Sequence, residues 1–207
     1  MLPVGAAWAA EKAGAKPTPP PLVIDVVEAL VKEGQAQFAK GDLAAASRAY
    51  ESAAAKEPKN VPVLVNLGVV QFRDGRLALA ESTLKKALAL DPANDFGHSM
   101  LGIVHHMQGR SDEALADLED ALRLNPKNAE AHCYKAICVT DKGWQGTARR
   151  EFEAALALDP NYAEAHFNYA VLLATQQPPD KERAREHYAQ ARKNGTEPDA
   201  ELEAMLK

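Results

Sequence analysis

The sequence predicts an all-α protein, an α-solenoid of helix–turn–helix repeats closed by a C-terminal capping helix. Three observations carry this. Pro58, Pro92, Pro126 and Pro160 stand 34 residues apart, each ending a similar run such as LALDPAN or LRLNPKN. A fixed period of this length marks a chain built from stacked copies of one small unit. Gly41, Gly75, Gly109 and Gly143 form a second column in mid-unit. The third observation is a small–large–small trio: Ala80, Leu84 and Ala87 in one unit, with Tyr50, Leu118, Phe152 and Tyr188 as the large member in the others. Spacings of four and three put such a trio on one helical face, where alanine admits a neighbouring helix and the large residue fills the gap.

Taken in order, residues 1–22 read as a flexible Ala/Pro-rich arm whose end favours extended polyproline conformation. Leu2 to Ala9 is apolar, and Ala7-Trp8-Ala9 has the small–x–small form of a cleavage site. A basic segment and most of an apolar stretch are missing, so the arm reads as the remnant of a signal peptide. That leans toward export to a bacterial periplasm or cell envelope. The alternative is a disordered tail on a cytoplasmic protein. Residues 23–207 form a single solenoid with repeats starting near 27, 61, 95, 129 and 163. In each unit the glycine ends the first helix, because it enters the left-handed conformation cheaply. The proline stops the second helix, because its ring clashes with a continuing turn. Helices of roughly 12–14 residues result, and since one pair cannot bury its own apolar stripe, the units must stack. Repeat 5 carries extra residues around Pro178-Pro179 that lengthen its turn. A cap helix at about 198–207 is expected to turn Leu202, Met205 and Leu206 inwards.

Repeat 2 reads VPVLVNLGVVQFRDGRLALAESTLKKALALDPAN, and it resembles the tetratricopeptide repeat. Leu64, Leu67, Gly68, Gly75, Ala80, Leu84, Ala87 and Pro92 occupy the family's signature places. The resemblance recurs in phase across most of the chain, with Glu33 and Lys135 departing from a leucine column. It implies a right-handed superhelix whose first helices line a concave inner surface. It also implies a non-catalytic interaction role, without naming a partner. The family's carboxylate clamp needs lysine, arginine and asparagine on successive first helices. The matching places hold residues such as Val65, Val69, Met100, Glu130, Tyr134 and Glu164, so no clamp is present. An asparagine ladder fails too, with only Asn66 and Asn168 in its column.

Other function classes find little support. No stretch approaches the ~18 apolar residues of a membrane span. A net charge of −5 disfavours nucleic acid, whose binders carry basic clusters. No nucleophile elbow, Gly-rich phosphate loop or HExxH occurs, so no enzyme is expected. Carboxylates such as Glu113, Asp117, Glu119 and Asp120 read as a solvated face. Cys133 and Cys138, five apart on one helix, read as free thiols. His98, His132 and His166 recur at the repeat period, but equivalent places on packed helices lie roughly 8–10 Å apart. A shared metal needs nitrogens at ~2.1 Å, so the column reads as packing, and no cofactor or metal is expected. His105 and His106 diverge by about 100° around their helix.

The first helices carry the functional expectation. Residues 61–72, 96–109 and 165–177 contain no Lys, Arg, Asp or Glu. The residues expected to face the groove are Val65, Val69 and Phe72, then Phe96, Ser99, Ile103 and His106. Cys133, Ile137 and Thr140 follow, then Phe167, Val171 and Ala174. An apolar inner wall of this kind suits an amphipathic helix or an apolar peptide from another protein. The alternatives are a structural subunit that self-associates as a homo-oligomer through the same surface, and occlusion of the groove by the chain's own arm. Trp144, in the turn of repeat 4, is expected to fold over its helix pair, with an interface anchor as the alternative.

Overall fold

The computed structural model describes residues 26–207. The arm and its signal-like start lie outside the described residues. Eleven helices follow in order among those residues: α1 (Val26–Ala39), α2 (Leu43–Lys56), α3 (Val61–Arg73), α4 (Leu77–Leu90), α5 (Asp95–Met107), α6 (Ser111–Leu124), α7 (Ala129–Asp141), α8 (Gln145–Leu158), α9 (Ala163–Thr175), α10 (Lys181–Lys193) and α11 (Ala200–Leu206). No strand is present among them. Each odd helix packs on the even helix that follows it, and each even helix packs on the next odd one. The odd helices also touch in series, α3 on α5, α5 on α7 and α7 on α9, so they form a continuous inner layer.

The turn inside a repeat is a glycine C-cap. At Gly75, φ is 73°, and the amides of Gly75 and Arg76 donate to the carbonyls of Phe72 and Gln71, each at 2.9 Å. That is the paired pattern of a Schellman motif. It recurs at Gly41, Gly109 and Gly143. Repeat 5 lacks the glycine, and Asp180 N instead closes its longer turn on Leu173 O at 2.8 Å. First helices start on asparagine: Asn60, Asn94 and Asn128 each accept from the amide three residues on.

The turn between repeats has a fixture that the helical pattern does not announce. Nε2 of His98, His132 and His166 sits 3.1 Å from the carbonyl oxygens of Pro92, Pro126 and Pro160 respectively. A carbonyl outside the helix ladder thereby gains a donor. The histidine column therefore pins the loop in three successive units.

The trios occupy the core as expected, with Ala80, Leu84 and Ala87 fully buried. A Cβ on Gly68 would come within 2.7 Å of the Leu84 side chain, so the glycine sets the approach of α3 to α4. Three expectations are corrected. Trp144, at the N-cap position of α8, is 55% exposed with its ring 5.7 Å from the Lys142 ammonium, so it does not fold over its helix pair. Met205 is exposed, while Leu202 and Leu206 carry the cap's burial. Asp117 does not belong to a solvated face; it accepts from the buried His105 ring at 2.6 Å.

Candidate partner-binding groove

The inner layer supplies the groove. Val69, Phe72, His106, Ile137, Thr140, Phe167, Val171 and Ala174 are half-buried there, and Phe96 is 42% exposed. Tyr134 joins the two halves, since it packs both on the core that holds Val69 and Phe72 and on the one that holds Ile137, Phe167 and Val171. Its ring also meets that of His106 edge-on, 5.9 Å between centroids. Met107 adds a further exposed apolar side chain at the end of α5.

Four expected groove residues are corrected. Val65, Ser99, Ile103 and Cys133 are buried between helices and leave no surface for a partner. Packing consumes them position by position and not by column, since Ile103 is buried where Val69, Ile137 and Val171 at the same place in other repeats stay half-buried. Cys133 and Cys138 are both free thiols. Burial pushes the Cys138 thiol up to about 11, so it stays protonated, 3.7 Å from His106 Nδ1.

Each end of the groove opens into a hollow. One of about 500 Å³ is lined by Val31, Gln35, Pro62 and Asn66, among others. The other, of about 240 Å³, lies between α9 and the cap and is lined by Phe167, Val171, Thr175, Leu202 and Met205.

The polar groups at the C-terminal half were not picked out by pattern. Glu164 accepts from Tyr134 Oη at 3.0 Å and from Tyr162 Oη at 3.3 Å, one phenol on each carboxylate oxygen. Burial, with Glu164 adding to it, raises both phenols well above the ordinary tyrosine range, so they remain donors. Glu130, in the first turn of α7, has its acidity weakened first by burial and then by Glu164, with Arg73 opposing. The signal for this cluster was Tyr162. It breaks the column of Asn60, Asn94 and Asn128, and α9 is left without a side-chain cap. Among the described residues, no group of three or more His, Cys, Asp or Glu side chains is placed to hold a metal ion. No helix among them is long and apolar enough to cross a membrane.

Comparison with known proteins agrees with this architecture. Family models described as tetratricopeptide repeat match residues 31–95, 96–128 and 151–193. The chain belongs to the tetratricopeptide repeat family. Members of the family bind other proteins or peptides and are generally non-catalytic. Among solved structures, it is similar to PilF of Pseudomonas aeruginosa, with a TM-score of 0.75 at 22% identity over 87% of this chain and 81% of that one. TTC0263, a thermophilic tetratricopeptide repeat protein of Thermus thermophilus, gives 0.70 at 23% identity over 87% and 96%. YrrB, described as having an unusual peptide-binding site, gives 0.60 at 24% identity over 84% and 87%. At these identities the likeness is one of fold. No curated protein sequence matches the chain.

Proposed function

We propose that this protein is a non-catalytic scaffold or adaptor that grips an apolar peptide or amphipathic helix of another protein in its concave groove. The observation that supports this reading is the unbroken strip from Val69 and Phe72 through Tyr134 to Ile137, Phe167 and Val171. It keeps large apolar side chains half-buried on α3, α7 and α9 of the inner layer. Surfaces of this kind mark interaction sites more often than free solvent-facing faces, and a groove between helices suits helix or strand-like peptide recognition. The hollows at both ends give anchor side chains somewhere to go.

The test is affinity capture from an extract of the source cells with the full chain and with a Val69→Asp, Ile137→Asp variant of equal helicity. Both substituted positions are half-buried, so the charges reach the groove without entering the core. A partner held by the native chain and lost by the variant is the expected result. Equal recovery by both baits moves binding to the outer face. A monomer–dimer equilibrium that the double substitution abolishes assigns the surface to a second copy of the chain.

A further inference from the structure

We infer that the segment ahead of α1 is a ligand for its own groove: residues 17–24, PTPPPLVI, occupy the hollow between α1 and α3 and close that end to a partner. This rests on the groove being the binding surface, and it names a regulation of that surface. The hollow holds about 500 Å³ and is lined by the first turns of both helices, with Val27, Val31 and Gln35 on α1 and Pro62, Val63 and Asn66 on α3. The side-chain amides of Gln35 and Asn66 make no hydrogen bond among the described residues. An apolar hollow flanked by amide donors suits an extended segment whose backbone carbonyls lack internal partners, and a proline run is such a segment.

Position and length single out this occupant. The described chain starts at Val26, and the next residue, Val27, already lines the hollow, so the segment arrives at the site without a connecting span. Between Val27 and Gln35 the helix rises ~12 Å, whereas eight extended residues reach about 25 Å. The segment is therefore long enough to cross the hollow and reach Asn66. Its composition agrees, since Leu22, Val23 and Ile24 are apolar yet precede the repeat phase. The two ends of the stack also differ. At one, α11 buries Leu202 and Leu206 over the last repeat. At the other, no helix precedes α1 among the described residues, Leu30 and Val31 are half-buried, and Val26 is 54% exposed. Stacked arrays need both end faces covered, and residues 17–24 would cover this one. A ligand tethered beside its site acts at about millimolar local concentration, so weak contacts suffice to hold it.

A nitroxide attached at Thr18→Cys in the full chain tests the contact, because Cys133 and Cys138 are buried and leave the label to position 18. In amide spectra of that chain, Val31 and Asn66 are expected to lose most of their intensity while α7 to α11 keep theirs. Adding Leu22→Asp with Ile24→Asp should restore the lost signals, and both positions lie ahead of α1, so the helices stay intact. Broadening that is absent or spread over the whole surface would overturn the inference. So would broadening of an isotope-labelled chain by a separate nitroxide-bearing one, which makes the occupant a second copy. A fluorescent PTPPPLVID peptide tests the closure. A docked segment that leaves about a tenth of the chains open raises the apparent Kd of such a probe about tenfold. The probe should therefore bind the Leu22→Asp, Ile24→Asp chain about tenfold more tightly than the native one, and Val31→Asp should abolish binding to either. Equal affinity for the native and released chains would overturn the closure. If instead partner capture ignores Val69→Asp with Ile137→Asp, the groove reading falls while the broadening at Val31 and Asn66 persists, so the two failures are told apart.

Discussion

At His105 an imidazole stands where repeat 2 has Gln71 and the later repeats have Val139 and Leu173. The ring is buried between repeats 2 and 3. Its Nδ1 lies 2.6 Å from Asp117 Oδ2, and Nε2 lies 3.4 Å from Glu81 Oε1. Glu81 is held well below the usual carboxylate range, first by Lys85 and then by Arg110, Gln108 and His105 against its burial. Asp117 is pushed the other way, because burial outweighs His105 and His98. The sequence does not reveal this network. A run of acids on a second helix has the look of a solvated face, and only the neighbouring repeat determines which acid turns inward. Asp117→Asn keeps the shape and removes the charge, so it should cost about 2 kcal/mol, the scale of a hydrogen bond to a charged group. Urea denaturation would measure it. Combined with His105→Gln, the total should fall short of the sum of the two single effects by at least ~0.5 kcal/mol, as coupled neighbours require. Simple additivity would mean that the two groups do not act as a pair.

Helix boundaries were legible because their causes are local. Gly75 needs only its own left-handed φ to end α3, and Pro92 needs only its own ring to end α4, so each acts wherever it occurs. Contacts between elements were less legible, as the two histidine pairs show. His132 on α7 lies 2.7 Å from Glu151 on α8, and that hydrogen bond raises its pKa against the effect of burial. His166 on α9 meets His187 on α10 at 2.9 Å, because repeat 5 puts a histidine where its neighbours have Asp117 and Glu151. Nε2–H of His166 is committed to the Pro160 carbonyl, so its Nδ1 accepts from His187. Burial first, then His166, lowers His187 to about 4. The two pairs therefore respond to pH with opposite sign. The raised His132 contributes fully below the unfolded value of about 6.5, and that contribution is lost as pH rises through its folded value. The lowered His187 contributes above about 6.5, and that contribution is lost as pH falls toward its folded value. Accordingly, Glu151→Gln should destabilise more at pH 6 than at pH 8.5, whereas His187→Gln should lessen the native loss of stability between pH 7 and pH 4.5. Denaturant midpoints at these pH values check both, and slopes of one common sign would contradict the pairing.

Across the whole molecule, period alone made the stacking visible, but it could not say which inner-layer residues keep free surface. Val65, Ser99, Cys133 and Phe167 share one column, and only Phe167 stays half-exposed, because exposure depends on how closely two packed helices approach at each seam. Tyr134 and Glu164 were legible as residues in the inner helices, yet the period does not show that the Tyr134 phenol reaches Glu164 one repeat on. The end of the stack follows the same logic. A seven-residue helix such as α11 is too short to persist alone, so its order comes from what it covers. Leu202 and Leu206 are buried against the last repeat, Tyr188 Oη accepts from Asp199 N at 2.7 Å and donates to Glu203 at 3.0 Å, and Arg185 donates to the Leu206 carbonyl. Leu202→Ala should cost roughly 2–5 kcal/mol where the leucine is buried. Because each unit in a stack touches only its neighbours, the loss should be felt locally. Amide exchange is expected to accelerate in α9, α10 and α11 while α3 to α6 keep their protection. Uniform acceleration through all five repeats would instead mean that the solenoid opens as one cooperative body, with the cap holding all of it.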